Sequence, residues 1–228
     1  MQNTSVRPSQ HILNPIQVDR AHFIIRTLLC RQDYTRIEEL EDLLFMNLTS
    51  VKQILNRARE ILKLFDLKIV SKSRHGMKIS GREHDLRLCL NYEYGNYSTT
   101  SLHLAQPEEY GRLYRFDPQI QQRIERIIRS LQEMFISYNL SVSSLASLSR
   151  LILISAVRSK NGHPLDYPES TIIRFTNRNS YYVAKLVLNQ CAELLQCTFI
   201  REDIILLAIG FVGFRIALSP DEIFRDGF

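Results

Sequence analysis

Eleven side chains in two neighbouring runs carry the chemistry most legible in this chain. Thr49, Ser50, Lys52, Gln53, Asn56, Arg57, Arg59 and Lys63 form the first run, and Lys72, Arg74 and Lys78 the second. Lys and Arg donate to phosphate oxygens, and Arg can pair bidentately with guanine. Gln and Asn present a donor and an acceptor that match adenine, and Ser and Thr suit either purpose. The surrounding stretch, 47–82, holds nine basic residues against two acidic ones, a net +7 in a chain whose total is +5. An excess this local is the footprint of a phosphate-binding surface. A solvated helix face beside a charged hairpin would show the same charge.

Periodicity says what must hold these groups in place. Val51, Ile54, Leu55, Ala58, Ile61, Leu62 and Phe65 recur at steps of three and four, which defines the buried stripe of a helix starting near Thr49. Thr49, Lys52, Gln53, Asn56, Glu60 and Lys63 fall opposite that stripe, with Arg57 and Arg59 on its flanks. After Asp66 the period changes to two: Leu67, Ile69 and Ser71 alternate with Lys68, Val70 and Lys72. Arg74-His75-Gly76 supplies a turn, and 77–80 returns as a second strand. The spacing thus predicts a small basic hairpin, with His75 an exposed residue at its tip. Lys72, Arg74 and Lys78 are placed to rest on a sugar–phosphate backbone. Two helices precede it. One covers 17–31 through Phe23, Ile24, Leu28 and Leu29, and one covers 36–45 through Ile37, Leu40, Leu43 and Leu44. Thr35 fits an N-cap with Glu38 three residues on, and 46–48 makes a tight connection. Three helices with a short turn before the last are helix-turn-helix geometry, in which the last helix enters the major groove of DNA.

The remainder reads as helix. Residues 1–16 are polar, interrupted by Pro8 and Pro15, and are expected to form a flexible arm. A helix over 81–94 places Leu86, Leu88, Cys89 and Leu90 on apolar positions. The polar stretch 95–112 reads as a linker. Asp117-Pro118 opens a helix with Ile120, Ile124, Ile127, Ile128, Leu131 and Phe135 on one stripe. Further helices are expected over 141–159, 170–175, 180–196 and 201–218. The last is apolar on most sides and is expected at the centre of a bundle. The fold class is therefore mainly α: a winged helix-turn-helix (three helices plus a β-hairpin wing) over 17–94, then an all-α bundle over 113–228.

Other chemistries find no footing in the sequence. No GxxxxGK[ST], GxGxxG or GxSxG motif occurs, and the six histidines are scattered. Cys30, Cys89, Cys191 and Cys197 lie far apart in apolar patterns, with no zinc spacing, and read as reduced core thiols of a cytoplasmic protein. No enzymatic activity, metal or cofactor is expected. The N-terminus has no apolar segment of a secretory signal. The richest apolar run, 204–218, contains Arg215 and falls short of a membrane span, so no membrane association is expected.

The run 34–87 resembles the helix-turn-helix of Mga-like and BglG-type bacterial transcription regulators. The likeness rests on Gly76, Ile79, Gly81, Glu83 and Arg87, a G-x-x-I-x-G-x-E-x-x-x-R spacing directly after the third helix. The second half resembles a PRD, the phosphotransferase-system regulation domain, at 148–162, 181–193 and 200–211. The resemblance implies an N-terminal domain that binds double-stranded DNA, followed by a five-helix PRD-like domain that dimerises and senses state. It implies a regulator of carbohydrate genes, with phosphotransferase-system proteins among its partners. On this reading Ser50, Gln53, Asn56 and Arg57 lie near bases, while Lys52, Arg59, Lys63, Lys72, Arg74 and Lys78 hold phosphates. Such domains carry regulatory histidines. Counted from Arg158 and Glu202, those positions hold Leu151 and Ile209, neither of which accepts a phosphoryl group. These two residues, and Glu41 in the second helix, favour an alternative: a protein-interaction module of the same regulatory system whose winged helix no longer binds DNA.

Overall fold

The computed structural model describes residues 15–31, 33–97, 112–135 and 140–218. The arm expected over 1–16 lies outside these residues except for its last two. The stretch expected as a linker, 95–112, lies outside except for 95–97 and 112. The described residues hold nine helices and one two-stranded sheet. α1 (Pro15–Cys30), α2 (Ile37–Leu44) and α3 (Leu48–Lys63) lead into β1 (Lys68–Lys72), β2 (Gly76–Ser80) and α4 (Glu83–Tyr97). Then follow α5 (Pro118–Phe135), α6 (Val142–Lys160), α7 (Glu169–Thr176), α8 (Asn179–Leu195) and α9 (Arg201–Leu218).

α1 starts two residues before the expected position, because Pro15 suits the first helical turn, where no amide partner is needed. α2 differs at its cap. Thr35 does not cap it: Thr35 exchanges both backbone hydrogen bonds with Met77, at 2.8 and 2.7 Å, and so extends the hairpin by one bridge. The cap falls to Arg36, whose N–H donates to Glu39 Oε1 at 3.0 Å. That bond, helped by Arg31 and opposed by burial, holds the Glu39 carboxyl below the ordinary carboxylate range. The alternation after Asp66 resolves into an antiparallel pair in the register Lys68↔Ser80 to Lys72↔Gly76. Arg74 (φ 64) and Gly76 (φ 112) supply the left-handed backbone that a three-residue loop requires. Gly76 is also fixed by crowding, since a Cβ there would lie 2.2 Å from the Thr35 carbonyl oxygen.

Two main cores form. The first gathers α1, α2, α3 and the hairpin around Ile24, Ile25, Leu40, Leu55 and Leu62, and reaches forward to Tyr114 and Ile154. The second joins α5, α6, α8 and α9 around Ile124, Leu148, Val187 and Phe211. α6 is the hub, packing against α4, α5 and α9. By length and composition α6 could cross a membrane, contrary to the expectation that no segment could. Its apolar side chains, from Leu145 to Ile154, are buried inside the protein. α9 shares the centre through Ile205, Leu206, Leu207, Ala208 and Phe211. The cysteines are free thiols. Burial pushes the Cys191 thiol up to about 12 and raises Cys89 as well, so both stay protonated and unreactive.

Candidate nucleic-acid interface

α3 carries the first run of candidate residues. Its start is fixed by Asn47, whose side-chain oxygen accepts from the Ser50 N–H at 3.0 Å. The pattern made 46–48 a bare connection, yet Asn directly before an apolar-periodic run is a capping signal. Behind the helix, Val51, Ile54, Leu55, Ala58, Ile61 and Leu62 are buried. That packing turns the other face outward. Thr49, Lys52, Gln53, Asn56 and Lys63 are exposed, while Ser50, Arg57 and Arg59 are half-buried.

Two pairs of candidates are tied locally. Arg57 Nη1 lies 2.7 Å from Glu60 Oε2, and Arg59 Nη1 donates to Asn56 Oδ1 at 2.8 Å. Exposed pairs of this kind contribute about 1 kcal/mol or less. A stronger acceptor such as a phosphate can therefore recruit either Arg.

The wing carries the second run. Lys72 and Arg74 are exposed at its tip. Lys78 is half-buried, with its ammonium 4.9 Å from the centre of the Tyr34 ring, a cation–π contact. His75 is exposed, as expected, and its Nδ1 lies 2.8 Å from the Ser73 carbonyl oxygen. A groove of about 570 Å³ opens between the wing and the start of α2, lined by Arg36, Glu38, Ser71, Lys72, Ser73 and Arg74 among others. Arg36 was not among the sequence candidates. Nothing in the period of α2 marks it, and only the Thr35–Met77 bridge brings it beside the wing.

The motif residues Glu83 and Arg87 serve another purpose. The Arg87 side chain is wholly buried and spends its donors in four directions. Nε binds Glu83 at 3.0 Å and Nη1 binds Asp203 at 2.6 Å. Nη2 reaches Ser159 Oγ at 3.0 Å and the His163 carbonyl at 2.9 Å. Arg158 donates to both Glu83 oxygens, at 2.8 and 2.6 Å. Burial opposes the charge on Arg158, but the Glu83 carboxylate outweighs it and holds the guanidinium above its ordinary value. Two arginines face two carboxylates, so the cluster is neutral and ties α4 to α6 and α9. Close by, His84 Nδ1 lies 2.6 Å from the Tyr167 hydroxyl, and burial raises the Tyr167 pKa. His163 is half-buried. Sequence spacing singled out Glu83, Arg87 and Arg158 but not Asp203, because their meeting depends on how the helices pack.

Leu151 is buried and Ile209 half-buried. Among the described residues no cluster of His, Cys, Asp or Glu could hold a metal ion.

Comparison with curated proteins returns no match for the chain. Comparison with protein families does: residues 7–94 match the Mga helix-turn-helix domain. The match spans the capped helix, the wing and most of α4, and this likeness to the Mga helix-turn-helix domain supports a DNA-binding regulator.

Proposed function

We propose that this protein is a sequence-specific, DNA-binding transcriptional regulator of carbohydrate genes. The observation that carries the reading is the exposed polar face of α3. It is capped by Asn47, backed by a buried stripe and flanked by the basic wing, within the matched domain. On this reading Ser50, Gln53, Asn56 and Arg57 read bases, while Lys52, Arg59, Lys63, Lys72, Arg74 and Lys78 hold phosphates.

The helical half is proposed as a PRD-like dimerisation and sensing domain of a cytoplasmic homodimer, with phosphotransferase-system proteins as partners. Its five helices, α5 to α9, fit the size of such a domain. Leu151 and Ile209 occupy the positions where its histidines would stand, and neither side chain accepts a phosphoryl group. No enzymatic activity is proposed.

A gel shift against duplexes selected from a random pool tests the reading. Wild type retards a defined motif, and Arg57→Ala combined with Lys63→Ala abolishes the shift. Undiminished affinity in that double variant would sink it.

A further inference from the structure

Phe45 follows α2 in the left-handed conformation (φ 52, ψ 48), and it is 95% exposed. Both facts are unfavourable. The left-handed well crowds Cβ against the backbone, so glycine or asparagine normally fills this position after a helix. A whole phenyl ring in water forgoes the stabilisation that burial gives. The left-handed turn closes α2 with hydrogen bonds from the Phe45 and Met46 N–H groups to Asp42 and Glu41, which any residue could provide, but nothing offsets the exposed ring, because Phe45 belongs to none of the hydrophobic cores. A residue that breaks local rules without helping the fold is where a role in binding should be sought.

Its position says what it binds. Phe45 lies in the turn between α2 and α3, two residues before the α3 cap Asn47. Leu43 and Leu48, each 40% exposed, flank it. The helix it leads into carries the exposed Lys52 and Lys63, and the wing of the same domain the exposed Lys72 and Arg74, which draw a polyanion rather than an apolar protein face. In helix-turn-helix docking the N-terminal residues of the recognition helix meet base edges in the major groove, and Phe45 stands three residues before the first residue of α3. The apolar group that groove presents is the thymine 5-methyl.

We propose that Phe45 is a specificity residue that packs on a thymine methyl group at the edge of the DNA site. The inference rests on the DNA-binding reading. It adds an apolar contact to a surface otherwise described by charge and hydrogen bonds.

The test selects duplexes from a random pool with wild type, Phe45→Gly and Phe45→Ala. Both variants lose one thymine preference per half-site and bind the wild-type duplex roughly tenfold more weakly. Their salt dependence matches wild type, because no phosphate contact is lost. Phe45→Gly melts no lower than wild type. An unchanged motif and affinity would overturn the proposal. So would loss of self-association in sedimentation with the motif intact, which would assign Phe45 to a protein interface. If wild type itself selects no duplex, the DNA-binding reading fails and Phe45 loses its role with it.

Discussion

Arg87 Nη1 lies 2.6 Å from Asp203 Oδ1, and the two residues are 116 positions apart in the chain. One side chain belongs to the helix that follows the wing, the other to the first turn of α9, and both are out of contact with water. Asp203 also accepts the Ile200 N–H at 2.9 Å, so the same carboxylate caps α9 and anchors α4. A buried pair adds little net stability over an apolar one, but breaking it strands a charge. Arg87→Met is therefore expected to lower unfolding free energy by roughly 3–5 kcal/mol. Adding Asp203→Leu should restore much of the loss. Denaturant titration of the two single variants and the double variant measures the coupling.

Gly76 and Gly162 both have positive φ, yet they should respond differently to a side chain. A Cβ on Gly76 meets the Thr35 carbonyl at 2.2 Å, whereas one on Gly162 meets nothing within 4 Å. Gly76→Ala should cost at least about 1–3 kcal/mol through strain and should unseat the wing. Gly162→Asn should be close to neutral. Thermal melts of the two variants decide it.

Asn47→Ala removes the side chain that caps α3. The expected loss is about 1 kcal/mol, with amide exchange rising in the first turn of α3. Unchanged exchange there would show that the turn is held by packing alone.

Acid should weaken the protein near pH 6.5. Burial disfavours the His84 imidazolium and sets its pKa below the ordinary 6.5. Asp85 opposes the shift, and Arg82 and Arg87 add to it. The unfolded chain then takes up a proton that the folded protein refuses. The stability held by neutral His84 is complete above that value and is lost as pH falls through it. His163, also lowered chiefly by burial, acts in the same direction. Melting temperatures between pH 7.5 and 5.5 should fall, and His84→Gln, which can still bond Tyr167, should flatten the slope.

Much of the architecture was legible because it rests on local patterns. The 3.6-residue stripe of α3, the switch to alternation after Asp66, and Pro118 at the head of α5 each stand in the sequence. The Thr35–Met77 bridge was not legible, because a single pair of backbone bonds leaves no periodic trace. It displaced the α2 cap to Arg36 and brought that residue to the wing. The candidate surface was legible as charge, but two of its side-chain pairings were not. Asn56–Arg59 and Arg57–Glu60 depend on rotamers rather than spacing. Glu83 and Arg87 were visible as a motif, and their purpose emerged only once α9 delivered Asp203.

The most direct measurement is the salt dependence of DNA binding for wild type and for Lys63→Ala combined with Lys72→Ala and Arg74→Ala. If these side chains hold phosphates, log affinity falls linearly with log salt, and the triple variant's slope is shallower by about three. A flat dependence in wild type, or the same slope and affinity in the triple variant, would contradict a DNA interface built on α3 and the wing.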